Sequence, residues 1–240
     1  MKRRLDAELT ARGLVPTRSQ AESWIKLGKV TVDGREITKP GHFVTENADI
    51  KLNTKEQYVS RAGLKLASVA KLLHVNFKDA VVLDVGSSTG GFTDYSLQHG
   101  AQKVYAVDVG TDQLHPSLHD NDKIELHEKT DIRDFKLTPE NRPNIVVIDV
   151  SFISLREILP HIATELADKN TQIMAMVKPQ FEAGKHQTNK GIIKNDGVRR
   201  QILKDFEFWA KDLFVIRDKQ DSEVAGSKGN RERFYLLQIL

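Results

Sequence analysis

From residue 61 to the C-terminus, apolar runs of six or seven residues alternate with amphipathic stretches, and this rhythm limits the chain to few folds. The runs are AVVLDV (80–85), KVYAVDV (103–109), KIELHE (123–128), NIVVIDV (144–150), QIMAMV (172–177) and DLFVIR (212–217). A strand with one wet face alternates apolar and polar residues; most of these do not, so both of their faces are buried. Helical patterns after Gly91, around 155–168 and around 197–210 supply the crossovers that parallel strands require. The expected fold is α/β, a doubly wound Rossmann-like sheet that is mostly parallel. The last run, RFYLLQIL, follows a Gly229-Asn230 turn signal and is expected to return antiparallel beside 212–217.

The first fifty residues have another character. Leu5 and Leu9 before Gly13, then Ala21, Trp24, Ile25 and Leu27 before Gly28, mark two short amphipathic helices, the second capped by Thr17 or Ser19. VTVDGREIT alternates about Asp33-Gly34, a hairpin signal, Pro40-Gly41 marks a further turn, and ADIKL (48–52) is strand-like. The expected organisation is a small α+β domain over 1–53, a polar linker over 54–60 and the α/β domain over 61–240. Residues 1–53 hold ten Lys/Arg against seven Asp/Glu, which is the whole +3 of the chain. That excess makes the small domain the candidate nucleic-acid face, although a solvated surface also carries such a difference. The absence of cysteine excludes a disulfide framework, a thiolate metal site and a cysteine nucleophile. The histidines lack metal-ligand spacing, so no metal is expected. With no apolar run long enough to span a bilayer and no apolar segment behind the N-terminal arginines, neither a membrane nor a secretory signal is expected, and the cytoplasm is the default location.

LDVGSSTGGF (83–92) runs from a strand into a glycine loop. Gly86, Gly90 and Gly91 are spaced G-x-x-x-G-G, with Ser88 where a dinucleotide fingerprint has its middle glycine, which weakens a pyrophosphate reading. A cofactor without phosphates needs close backbone approach more than an anion cradle, and S-adenosylmethionine fits that description. Asp108 ends the next strand 22 residues after Gly86, the usual place for an acid that accepts from ribose hydroxyls. Asp84 either orients the loop or meets the cofactor's amino group through water. Asp131 in EKTDIRDF is assigned to the adenine amino group, with Asp134 and a plain helix cap as alternatives. Ser87 and Phe92 complete the candidate cofactor set. Phe92, Phe152 and Phe181 fall just past strand ends, where they line a pocket, stack a base or belong to the core.

Four ionisable residues far apart in sequence form a second constellation: Lys65, Asp149, Lys178 and Glu232. Asp149 and Lys178 each end a central strand at the carboxyl edge, where open α/β sheets bind ligands. A charge there is costly unless partnered or used. Singly, each reads as a rim salt bridge; as two lysines among two carboxylates they read as a site in which a deprotonated lysine serves as general base for a hydroxyl. Pro179 keeps Lys178 extended and aims it. Glu223 competes with Glu232 as fourth member, but it precedes the hairpin turn instead of opening the last strand.

The segments YVSRAGLKL, STGGFTD, VVIDVSFISL, MVKPQFEAG and KGNRERFYLL together resemble the TlyA (hemolysin A) family of RNA ribose methyltransferases, over essentially the whole chain. The part from residue 61 on is similar to the FtsJ-type catalytic domain, and the resemblance implies that Lys65, Asp149, Lys178 and Glu232 are its Lys-Asp-Lys-Glu tetrad. It further implies S-adenosylmethionine as cofactor, ribosomal RNA as partner and a cytidine 2′-O-methyltransferase activity, with Lys178 tuned by Asp149 and Glu232 and with Lys65 orienting the nucleotide. The N-terminal part is similar to the S4-type RNA-binding module, whose paired helices form the RNA surface, so that Arg3, Arg4, Arg12, Arg18, Lys26 and Lys29 are implied phosphate contacts. Two alternatives stay open at this point: a membrane-active hemolysin, for which no insertion segment is visible, and a non-catalytic RNA-binding assembly factor.

Overall fold

The computed structural model describes residues 2–53, 58–184, 188, 191–193, 195–226 and 229–240. Four of the seven residues expected as linker, 54–57, lie outside them.

The N-terminal part comprises β1 (Lys2–Arg4), α1 (Leu5–Ala11), α2 (Arg18–Lys26), β2 (Val30–Val32), β3 (Arg35–Glu36), β4 (Phe43–Thr45) and β5 (Ile50–Leu52). Thr17 caps α2, its hydroxyl accepting from the Gln20 N–H, and Leu5, Leu9, Ala21, Trp24 and Ile25 are buried where the two helices meet. Strands β3, β2 and β5 form one small antiparallel sheet, while β1, absent from the sequence reading, pairs with β4. Arg12 fastens this unit: its guanidinium donates to the Ala48 and Glu46 carbonyls at 2.8 Å each and to the Glu8 carboxylate at 2.9 Å.

The larger part follows with α3 (Arg61–Ala70), β6 (Val81–Val85), α4 (Gly91–Gln98), β7 (Lys103–Val107), β8 (Ile124–His127), β9 (Ile145–Ile148), α5 (Leu159–His161), β10 (Gln172–Val177), α6 (Pro179–Glu182), α7 (Asp196–Ala210), β11 (Phe214–Asp221) and β12 (Arg233–Ile239). Seven strands form one sheet in the order β11-β12-β10-β9-β6-β7-β8. All neighbours from β10 to β8 are parallel, and β12 is antiparallel to both β10 and β11 between which it inserts. The single helix expected over 155–168 is instead a 3₁₀ turn, the short α5 and a π-helical turn over Ile162–Leu166. Pro160 lacks the N–H and the room that a continuous helix needs there.

Period-two alternation sorts the sheet's side chains into two cores. Val82, Ile145, Val147, Met174, Met176, Phe234 and Leu236 face the core shared with α3 and α4. Leu83, Val85, Val146, Ile148, Ile173, Ala175, Val177, Tyr235 and Leu237 face the core shared with α7. Each of the Val, Ile, Leu, Met and Phe side chains among them contributes roughly 1.5–3 kcal/mol by leaving water, which is why these strands read as unbroken apolar runs. The first core continues into the N-terminal unit: it also contains Leu5, Trp24 and Tyr58. Tyr58, placed by the sequence reading in a polar linker, is 3% exposed, 5.5 Å from the Tyr95 ring, and its carbonyl accepts from the Gln20 side chain. Arg12→Ala is expected to lower stability by about 2 kcal/mol, the scale of hydrogen bonds from a charged group, as measured by urea denaturation; Lys26→Ala, at an exposed position, should stay within about 0.5 kcal/mol.

Candidate active site

The same alternation that builds the α3-facing core places the charged constellation. Counting on by two from the core residues reaches Asp84 in β6, Asp149 just past β9, Lys178 just past β10 and Glu232 just before β12, all directed to the face on which α3 presents Lys65. The four tetrad candidates form two ion pairs: Lys178 Nζ lies 2.6 Å from Asp149 Oδ1, and Lys65 Nζ lies 2.6 Å from Glu232 Oε2. Lys65, Lys178 and Glu232 are at most 8% exposed. Glu232 therefore partners Lys65 and not Lys178, contrary to the pairing drawn from the resemblance; the second contact of Lys178 is Ser151, whose hydroxyl accepts from Nζ at 2.8 Å. Glu223 is exposed and outside the constellation. Lys65, Asp149, Lys178 and Ser151 line a small cavity of about 180 Å³, together with Asp84 and the loop residues Gly86, Ser87 and Ser88.

Gly86, Ser88, Asp149 and Ser151 also wall a larger cavity of about 430 Å³, so the two spaces adjoin. Its lining includes Val107, Asp108, Val109, Asp131 and Ile132. Asp108 is engaged as a loop anchor, one oxygen accepting from the Ser88 N–H at 2.8 Å and the other from the Gly110 N–H at 2.7 Å; each keeps a lone pair for a further donor. Asp131 is fixed by Arg133, which donates at 3.0 and 2.6 Å and holds the carboxyl down to about 2. Asp134 is exposed and does not border this cavity.

The glycine loop also packs closely against the rest of the chain. Ser88, in the place of the middle fingerprint glycine, adopts φ +45° and so takes the backbone conformation that glycine normally supplies, held by Asp108 and by its own hydroxyl on Gln113 at 3.0 Å. A Cβ on Gly86 would stand 2.8 Å from the Asp149 carbonyl, and one on Gly91 would meet Ser60 and Ala62. These glycines let strand ends and helices approach one another. Phe92 is 2% exposed and packs 6.0 Å from Phe234, with one edge on the small cavity.

At two residues that sequence reasoning named, the structure adds what the sequence does not encode. Phe152 is 91% exposed with φ +67°, an unfavourable backbone for a bulky residue, and its ring lies 5.3 Å from that of Phe181. Glu182 ties the two segments together, accepting from the Ser154 hydroxyl at 2.6 Å and the Leu155 N–H at 2.7 Å. The second residue is Asp84, 1% exposed. Its Oδ2 accepts from Thr93 at 2.7 Å, while Oδ1 and the nearby Ser87 hydroxyl have no partner among the described residues. Burial pushes the Asp84 carboxyl up to about 7, with repulsion from Asp149 and Asp108 adding to the rise.

Residues 58–239 match the FtsJ-like methyltransferase family, and residues 3–50 match the S4 domain. The chain belongs to the FtsJ-like methyltransferase family. Within it, the 16S/23S rRNA (cytidine-2′-O)-methyltransferase TlyA of Mycobacterium tuberculosis is 39% identical over 242 residues, covering 98% of this chain and 89% of that protein. Hemolysin A of Brachyspira hyodysenteriae is 36% identical over 241 residues and 99% of both chains. A solved hemolysin-named protein from Streptococcus thermophilus superimposes with a TM-score of 0.74 at 38% identity, over 99% of this chain and 88% of that one. This methyltransferase carries an RNA-binding type of module ahead of its catalytic sheet.

The Asp84 carboxyl yields a pH prediction. Unfolded, it titrates near 3.8, and folded near 7, so between these values the folded state holds a proton that the unfolded state releases, and stability falls as pH rises through the interval. Asp84→Asn should remove that slope, leaving stability unchanged below pH ~4 and raising it by up to about 4 kcal/mol above pH ~7, as followed by denaturant titration across pH.

Proposed function

We propose that this chain is an S-adenosylmethionine-dependent 2′-O-ribose methyltransferase acting on cytidine in ribosomal RNA. The observation that carries the reading is the meeting of Lys65 and Lys178, each paired to its own carboxylate, in a small cavity that adjoins a larger one bearing Asp108 and Asp131. The residues fit the cofactor. The 430 Å³ space falls in the range of small-molecule sites, its walls join apolar residues to the three carboxylates of Asp108, Asp131 and Asp149, and the Asp84 Oδ1 of the adjoining small cavity suits an ammonium reached directly or through water. When bound there, S-adenosylmethionine supplies an electrophilic methyl group.

The chain's own residues do the rest. Lys178 in its neutral form takes the 2′-hydroxyl proton, and Asp149 at 2.6 Å stabilises the ammonium so formed, while Ser151 keeps the side chain aimed. Lys65, held by Glu232, orients the ribose in the same cavity. The exposed Phe152, backed by Phe181, offers a shelf for an unstacked base beside Lys178. Much of the rate then comes from positioning a hydroxyl against the methyl donor.

The N-terminal arginines divide into two groups. Arg4 and Arg18 both hold the buried Asp6, at 2.7 and 3.0 Å, yet keep about half of their side-chain surface, and Arg3 is 61% exposed; these face outward for phosphate. Arg12, spent on backbone carbonyls, is a strut. Lys26 is exposed beside Glu22 and Lys29 is also exposed, so both stay with the phosphate-contact group. The hemolysin names of two relatives suggest a membrane-active reading. No helix among the described residues is long and apolar enough to cross a membrane, and two buried lysine–carboxylate pairs favour methyl transfer.

Lys178→Ala should abolish transfer of labelled methyl to ribosomal subunits while calorimetry still detects cofactor binding; retained transfer would overturn the assignment. Phe152→Ala should raise KM for RNA about tenfold, the scale of one lost base stack, with cofactor affinity unchanged.

A further inference from the structure

A third charged cluster lies at the carboxyl edge of the sheet, beyond the lysine pairs. Asp221, the last residue of β11, receives three arginines: Arg233 Nε at 2.6 Å, Arg199 Nη2 at 2.7 Å and Arg231 Nη2 at 3.5 Å. The register fixes where this is. Arg233 stands opposite Asp221 on one side and opposite Val177 on the other, and Val177 is the residue before Lys178. The cluster thus begins one residue from the proposed base, on the α7 side of the same edge.

Its three arginines are not equivalent. Arg199 and Arg233 have side chains 10% and 23% exposed, and with Asp221 they bind the start of α7 to the β11–β12 pair; Arg199 Nε also donates to the Arg231 carbonyl at 3.0 Å. Burial pushes the Asp221 carboxyl up, but Arg233 and Arg199 outweigh it and keep it below the usual carboxylate range, so it is ionised at neutral pH. One carboxylate is already satisfied by these two. Arg231 adds a third guanidinium that is 61% exposed and held only at 3.5 Å, with its backbone fixed by Arg199. Three guanidiniums around one carboxylate leave an excess of positive charge that the shared Asp221 does not neutralise, and the exposed member is the one free to turn outward. A planar guanidinium with several donors matches a phosphodiester better than an ammonium does.

We propose that Arg231, supported by Arg199 and Arg233, is a binding site for a backbone phosphate of the substrate RNA next to the modified nucleotide. The site rests on the methyltransferase reading above and gives the RNA a direction: cofactor over β6 and β7, target ribose over β9 and β10, flanking phosphate over β12 and β11. A nucleotide chain whose ribose reaches Lys178 then crosses the edge where Arg231 stands, and the contact fixes position without reading sequence.

The test compares the full chain with Arg231→Ala and Arg231→Glu, using ribosomal subunits that lack the modification as probe, and Arg217→Ala, an exposed arginine elsewhere on β11, as control. Arg231→Ala should raise KM for the subunits about tenfold with kcat within about twofold, and should make the fall of log affinity with log salt shallower by about one unit. Arg231→Glu should weaken binding further, while both variants keep native cofactor affinity. Native KM and an unchanged salt slope in both variants would overturn the proposal while leaving the function intact. Failure of the native chain itself to bind or methylate the subunits would instead overturn the functional reading, and this site with it.

Discussion

Four ionisable side chains nearly withdrawn from water must find partners or stay neutral, and this requirement shapes the carboxyl edge of the sheet. Lys65 cannot lie buried on α3 without Glu232, which arrives from the start of the last strand, nor Lys178 without Asp149 from the neighbouring one. Removing one member would strand its partner's charge, an error that typically costs 3–5 kcal/mol. The antiparallel β12 is therefore more than a closing strand, because its insertion between β10 and β11 is what delivers Glu232 to α3. Fold and chemistry are coupled at that point: the pairing of β12 with β10 sets both the register of the sheet and the geometry of the site.

Much of this architecture was legible in the residues. Unbroken apolar runs announced strands buried on both faces, and the split of Ile145 and Val147 from Val146 and Ile148 into separate cores shows why alternation was hidden. The positions of Asp149, Lys178 and Glu232 at strand ends were also legible, since strand length and turn signals locate ends. Which carboxylate meets which lysine was not, because pairing depends on how α3 lies across the sheet, and nothing local encodes that. The irregular segment over 155–166 was smoothed into a helix by its apolar spacing, although Pro160 marked the break. Tyr58 was taken for linker because its neighbours in sequence are polar, whereas its burial comes from Gln20 and Tyr95 far along the chain.

The glycine loop also serves the packing of the chain itself. Its glycines accommodate the chain's own contacts, and a serine takes the left-handed turn that a middle glycine would otherwise take, at a cost of about 1 kcal/mol that two hydrogen bonds offset. Asp108 belongs to the same economy of space: it anchors the loop from the next strand and still presents acceptor capacity to the larger cavity. On the proposed function, recognition of the cofactor and support of the loop would fall to one carboxylate.

The core that begins under α3 and α4 does not stop at the boundary between the two family matches, but continues through Tyr58 to Trp24 and Leu5. An RNA-binding unit joined by a shared apolar core is a gauge block and not a tethered bead. On the proposed function, an RNA gripped by its outward arginines would be presented to the lysines from a set distance and angle, so that choice among chemically identical riboses would become a matter of three-dimensional shape in the folded RNA.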